Sequence, residues 1–142
     1  MTSAVRTWGL ALVALALALL LGAGAAGCGG TQKPERQFTE DIQAFHNHMR
    51  WARYDDASTY IAEDWRWDFL GEYEELGRDF EVTEYEVRRV DHGGREGPAI
   101  VTVWVQFFRL PETRVHERTY VERWMWNDDR GIWEMVERRT RE

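Results

Sequence analysis

The sequence predicts an α+β fold, with N-terminal helices packed on one face of a curved four-stranded antiparallel meander sheet. Two observations carry this. Between residues 39 and 76 apolar side chains recur at helical spacing, and after Phe80 the apolar period drops from 3.6 to 2 in four runs divided by turn residues. Helices grouped before sequence-adjacent strands belong to an α+β architecture, not to alternating βαβ units. A third observation sets the size: 142 residues, 44% of them hydrophobic and including 8 Trp, suffice for one small domain with its own core.

Helix one is predicted from Thr39 to about Arg53, with Thr39 as cap and Glu40 and Asp41 in the first turn; Ile42, Phe45, Met49 and Ala52 share a face. Tyr54-Asp55-Asp56 breaks that pattern and opens a short second helix carrying Ala57, Tyr60 and Ile61. Asp64 caps a third, on which Trp65, Phe69, Tyr73 and Leu76 form a stripe beside Leu70, and Gly77 stops it. Strands follow at about 80–91, 98–109, 114–127 and 131–139, joined by hairpin-length turn chemistry at 91–98, 110–113 and 128–131.

Alternation places Val101, Val103, Val105 and Phe107 on the helix-covered face, joined by Met125, Trp133 and Met135. A loop from His92 to Pro98 pairs Asp91 with Ala99, Arg89 with Val101, Val87 with Val103 and Tyr85 with Val105. The opposite face then receives Ile100, Trp104 and Phe108 with Tyr120, Glu122, Trp124 and Trp126. Aromatic residues interleaved with Arg and Glu are the composition of an interface, so Trp104, Tyr120, Trp124 and Trp126 are the expected contacts to a second copy or a protein partner. A solvated sheet, its indoles covered by Arg and Glu stems, is the plainer reading of the same pattern.

Arg6 is the one charge before Lys33, and Trp8 to Gly27 is an uncharged run, Leu/Ala-rich and then Gly/Ala-rich. These are the regions of a secretory signal. A membrane-spanning helix is the competing reading, but Gly22 to Gly30 has too little helix propensity and apolarity to finish a span. Ala25-Ala26-Gly27-Cys28 resembles the lipobox of bacterial lipoprotein precursors, with Ala25 where those favour Leu. The resemblance implies cleavage before Cys28 and its acylation, and two or more acyl chains hold a protein stably on a bilayer. The expected organisation is therefore a signal peptide at 1–27, a lipidated Cys28 and tether at 28–37, and a folded domain at 38–142. The expected location is the bacterial cell envelope. Gly29 lacks the Asp that commonly retains such proteins in the inner membrane, which points to the periplasmic side of the outer membrane if the cell is Gram-negative.

The single Cys excludes a disulfide scaffold. Residues 28–142 hold 17 Lys+Arg against 25 Asp+Glu, so a general nucleic-acid binder is not expected.

Arg53 to Ile61 ahead of a second helical stretch, Tyr85-Glu86-Val87 opening the sheet, Ala99 to Val103 on the next strand, Trp124-Met125-Trp126, and Gly131 to Met135 at the end together resemble the NTF2-like superfamily. The likeness covers about residues 38–140. It implies a cone-shaped α+β fold, in a family that holds isomerases, dehydratases and epoxide hydrolases beside non-catalytic binding domains, and it implies dimerisation through the sheet face. Fold alone selects no function.

No catalytic residue, metal ligand or cofactor is assigned. His46 and His48, two apart on a helix, sit about 200° apart around its axis, and His92 and His116 lack convergent partners; all four are expected at the surface or partly packed. Asp64, Asp68 and Glu72 line one helix face, which is more simply a solvated face than an acid/base pair. A ketosteroid-isomerase-like site would draw on Tyr60 and Asp64, but no motif joins them. Gly-x-Ser-x-Gly, P-loop and Gly-x-Gly-x-x-Gly motifs are absent. Tyr60, Trp67 and Tyr73, with Phe69 and Leu70, are the expected lining of a ligand pocket at the mouth of the cone, the alternative being plain core. Two functions follow: a lipid-anchored, non-catalytic domain binding a protein or small apolar ligand, or an envelope lyase, isomerase or hydrolase using the cone.

Overall fold

Pro34 opens the first helix in the computed structural model, which describes residues 34–94, 97–112 and 114–141. Helix α1 spans Pro34–Arg50. Proline suits a first helical turn, whose N–H groups lack intrahelical partners in any case. The helix thus takes in residues 34–37, expected in the tether, and Thr39 lies within it instead of capping it. Ala52, expected on its apolar face, falls beyond its end with φ 50° and is exposed, whereas Ile42, Phe45 and Met49 are buried.

Helix α2 covers Tyr54–Ser58 and α3 covers Glu63–Leu76. The second helix is shorter than expected because Tyr60 to Ala62 pair with a strand. Ala62 N–H donates to Met135 O (3.0 Å), and Met135 N–H donates to Tyr60 O (2.8 Å), forming a parallel bridge at Ile61. Phe69 and Tyr73 are the buried stripe of α3, and Gly77 ends it in the left-handed region (φ 56°) that glycine adopts without strain.

Strands β1 (Phe80–His92), β2 (Ala99–Arg109), β3 (Val115–Asn127) and β4 (Ile132–Thr140) form one antiparallel sheet in sequence order. Tyr85 pairs with Val105 and Val87 with Val103, as expected. A bulge at Arg88 then shifts the register, so that Arg89 faces Thr102 and Asp91 faces Ile100 rather than Val101 and Ala99. The extra residue turns Val90 onto the face of Val101 and keeps apolar opposite apolar. A second shift lies at Thr83, whose hydroxyl donates to Gln106 O (3.2 Å).

Val101, Val103, Val105 and Phe107 are buried beneath the helices. The third strand is in the opposite phase to the one expected. Val103 pairs with Tyr120, Val101 with Glu122 and Ala99 with Trp124, and directly opposed residues share a face, so Tyr120, Glu122 and Trp124 point towards the helices. Met125, expected in the core, is 39% exposed on the other side. A bulge at Val136 in β4 sets Glu122 opposite Arg138 and Trp124 opposite Met135, bringing Arg138, Met135 and Trp133 onto the inner face together. Buried Asp41 fastens α1 to this strand, its carboxylate accepting from the Trp133 N–H (2.8 Å) and from Gln37 Nε2 (2.8 Å).

Candidate functional site

The space between helices and sheet closes around a charged cluster. His46 on α1 donates from Nε2 to Glu122 Oε2 (3.1 Å), and the Trp124 indole donates to the same oxygen (3.2 Å). Arg138 donates to Oε1 through Nε (3.2 Å) and Nη2 (2.9 Å), and through Nη1 to the Tyr73 hydroxyl (3.1 Å). The Arg138 guanidinium also lies 4.3 Å from the Tyr120 ring centroid, and His46 stacks on Tyr85 (5.0 Å).

Burial alone would raise the pKa of the Glu122 carboxyl, but the charges and hydrogen bonds of His46 and Arg138 outweigh it and hold the group at about 2. Burial pushes the Tyr73 hydroxyl the other way, up to about 12, against the pull of Arg138. Glu122 is therefore ionised, and both its oxygens are engaged. The void beside the cluster is about 10 Å³, room for about one water molecule. A carboxylate in this state holds no proton to give at neutral pH. Its role in this arrangement is to bind α1, α3, β3 and β4 together.

Two open clefts lie on the helical side, flanking the turn between α1 and α2; Ala52 and Tyr54 line both. One, about 570 Å³, is walled by Trp51, Tyr73, Phe80 and Arg78. The other, about 710 Å³, runs between α2 and α3 past Trp67, Leu70, Gly71, Asp55, Asp56 and Glu74. Trp51 is 68% exposed and Trp67 78%.

Of the three residues expected in one pocket, Trp67 lines the larger cleft and Tyr73 the smaller, while Tyr60 lies against His48 (ring centroids 6.1 Å) and lines neither. The structure does not gather them. Of the four expected interface aromatics, Trp104 is on the outer sheet face, half-buried, with Arg88 5.1 Å from its ring. The others take the helix-covered side because of the β3 phase. Trp124 has no exposed surface, Trp126 packs on Trp133 (5.9 Å), and Tyr120 lies beneath Arg138.

Asp64, Asp68 and Glu72 are exposed, as a solvated face should be, and Asp64 and Tyr60 form no buried acid/base pair. One histidine departs from expectation: His46 is buried, whereas His92 is exposed and sits edge-on to Phe38 (4.9 Å) and Trp133 (5.2 Å). Among the described residues no three His, Cys, Asp or Glu are grouped to hold a metal ion, and no helix is long and apolar enough to cross a membrane. Cys28 and the segment before it lie outside the described residues. The cluster of His46, Glu122 and Arg138 escaped the sequence reading. A signal for it existed: counting β4 back from the 128–131 turn without a bulge sets Glu122 against Glu137, an unfavourable like-charge pair that one inserted residue converts into Glu122–Arg138 and Arg123–Glu137.

Neither a family model nor a curated protein matches this chain. Among solved structures, the crystal structure of the intermembrane space region of chloroplast protein ARC6 aligns with a TM-score of 0.53 and 13% identity, covering 74% of this chain and 94% of that one. At that identity the likeness is one of fold: three helices against a four-stranded antiparallel sheet.

Proposed function

We propose that this chain is a lipid-anchored domain of the bacterial cell envelope, NTF2-like in fold and non-catalytic, that binds a protein partner or a small apolar ligand. The observation that carries the binding reading is Glu122: the interior where a cone enzyme would keep a reactive carboxylate holds one that is ionised, fully hydrogen-bonded and closed off, while the open space lies outside, among exposed tryptophans. The anchor reading rests on Ala25-Ala26-Gly27-Cys28 at the end of the uncharged run. The ARC6 region, named for an intermembrane space, is a precedent for this architecture between membranes. For self-association, the outer sheet face offers Trp104 with half-buried Ile100 and Val121.

Expression of the full chain in a bacterium tests the anchor. Mass spectrometry is expected to find a mature chain beginning at an acylated Cys28, and Cys28→Ser is expected to lose acylation and leave the membrane fraction. A mature N-terminus elsewhere, or unchanged fractionation of the variant, overturns it.

A further inference from the structure

The larger cleft has three properties that together specify an occupant. The first is an unexplained apolar exposure. Trp65 is half-buried on α3 and its indole donates to Met135 O (3.1 Å), whereas Trp67, two residues on and on another side of the helix, is 78% exposed. Trp67 lines the open cleft, and tryptophan is among the residue types that most often anchor a binding interface. The second is an open floor. Gly71, one turn after Trp67, sits mid-helix, where glycine weakens the helix, and a Cβ added to it would meet nothing within 4 Å.

The third is charge. Residues 34–79 hold 12 Asp+Glu against 5 Lys+Arg, while residues 80–142 hold 13 against 11, so the helical layer carries most of the negative charge. At the cleft itself Asp55, Asp56 and Glu74 converge. The basic residue in its lining, Arg53, is within 3.9 Å of Asp56, and among the described residues Asp55 and Glu74 make no ion pair.

We propose that the cleft between α2 and α3 docks a basic segment of a partner protein, with an apolar side chain of the segment against Leu70 and Tyr54 and an Arg or Lys over the Trp67 ring between Asp55 and Glu74. A cation over an indole gains from the ring's electron-rich face, and the flanking carboxylates steer and orient it. Anionic lipid headgroups and nucleic acid carry the charge this rim repels. This deepens the binding reading by naming the partner class, and it is independent of whether Cys28 is acylated.

The test uses the full chain in a non-ionic detergent and a dye-labelled short peptide alternating arginine with leucine, read by fluorescence anisotropy. Saturable binding that weakens as salt rises is expected, with about tenfold loss of affinity in Trp67→Ala and a comparable loss in the double variant Asp55→Asn, Glu74→Gln. Both sites are exposed, and circular dichroism of each variant confirms an intact fold. Equal affinity for Trp67→Ala, or equal binding of the peptide with glutamate in place of arginine, overturns the proposal. So does sedimentation showing that Trp67→Ala converts a dimer to a monomer, which would assign the cleft to a second copy. None of these outcomes bears on the fractionation of Cys28→Ser, so the anchor and the docking site stand or fall separately.

Discussion

Arg138 and Glu122 meet across β3 and β4 with Nη2 2.9 Å from Oε1, the Glu122 side chain fully buried and that of Arg138 nearly so. Taking charges this far out of water costs several kcal/mol per ion, which is offset only where every polar atom is matched. Here the match is made by residues from four elements, so the network reports whether the helices have docked correctly on the sheet.

Removing one partner should therefore be far worse than removing both. Glu122→Gln is expected to destabilise the fold by about 3–5 kcal/mol, because Arg138 and His46 lose the charge they surround. Glu122→Leu combined with Arg138→Met is expected to cost less than the two single changes added together. Urea unfolding of Glu122→Gln, of the two single changes and of their combination checks both statements, and a loss under about 1 kcal/mol for Glu122→Gln would refute the arrangement.

Acid should undo the same network. The folded pKa of Glu122, about 2, lies below its unfolded value of 4.5, so its contribution is complete above pH 4.5 and fades as the pH falls towards 2. The loss is on the order of 3 kcal/mol. Tyr73 acts at the other end: raised to about 12, it favours the fold below pH 10 and loses that contribution as pH rises through 12. Stability measured against pH should fall on the acid side in the parent chain and fall less steeply in Glu122→Gln.

The inner face of β2 gives a packing test. Val103 is fully buried, and Val103→Ala is expected to cost about 1–3 kcal/mol through lost burial and a cavity. Denaturation with an unchanged slope and a lower midpoint is the expected result.

The phase of β3 can be checked by comparing two tryptophans. Trp124→Ala, deep in the core, should cost about 3–5 kcal/mol, whereas Trp104→Ala, on the helix-free face, should cost clearly less. Equal losses would contradict the assignment of faces.

These tests separate what the sequence made legible from what it did not. Element order, strand limits and the inner face of β2 were readable because hydrophobic period and turn residues are local properties. The phase of β3 relative to β2 was not, because alternation within one strand says nothing about its neighbour; the connection at 110–114 decides that. Trp124 and Trp126 accordingly looked like surface aromatics. The bulges at Arg88 and Val136 were hidden for a related reason: each adds one residue, and only cross-strand pairing such as Arg138 with Glu122 shows its effect. The separation of Tyr60 from Trp67 and Tyr73 was not legible, since pairing of the 60–62 segment with β4 is a tertiary event that no helical pattern announces.

The two bulges of β1 have a bearing on how copies of this protein meet. The sheet ends at β1 and β4, and the backbone of Tyr60 to Ala62 partly occupies the outer edge of β4. The β1 edge is bent at Thr83 and Arg88 and bristles with exposed Glu81, Glu84, Glu86, Arg88, Arg89 and Asp91. A strand must be flat and regular over several residues to template another, and charge and kinks both spoil that template. Anchored side by side on a surface, as proposed for Cys28, the molecules would be crowded enough for strand-by-strand polymerisation to threaten, and the irregular rim of β1 works against such growth.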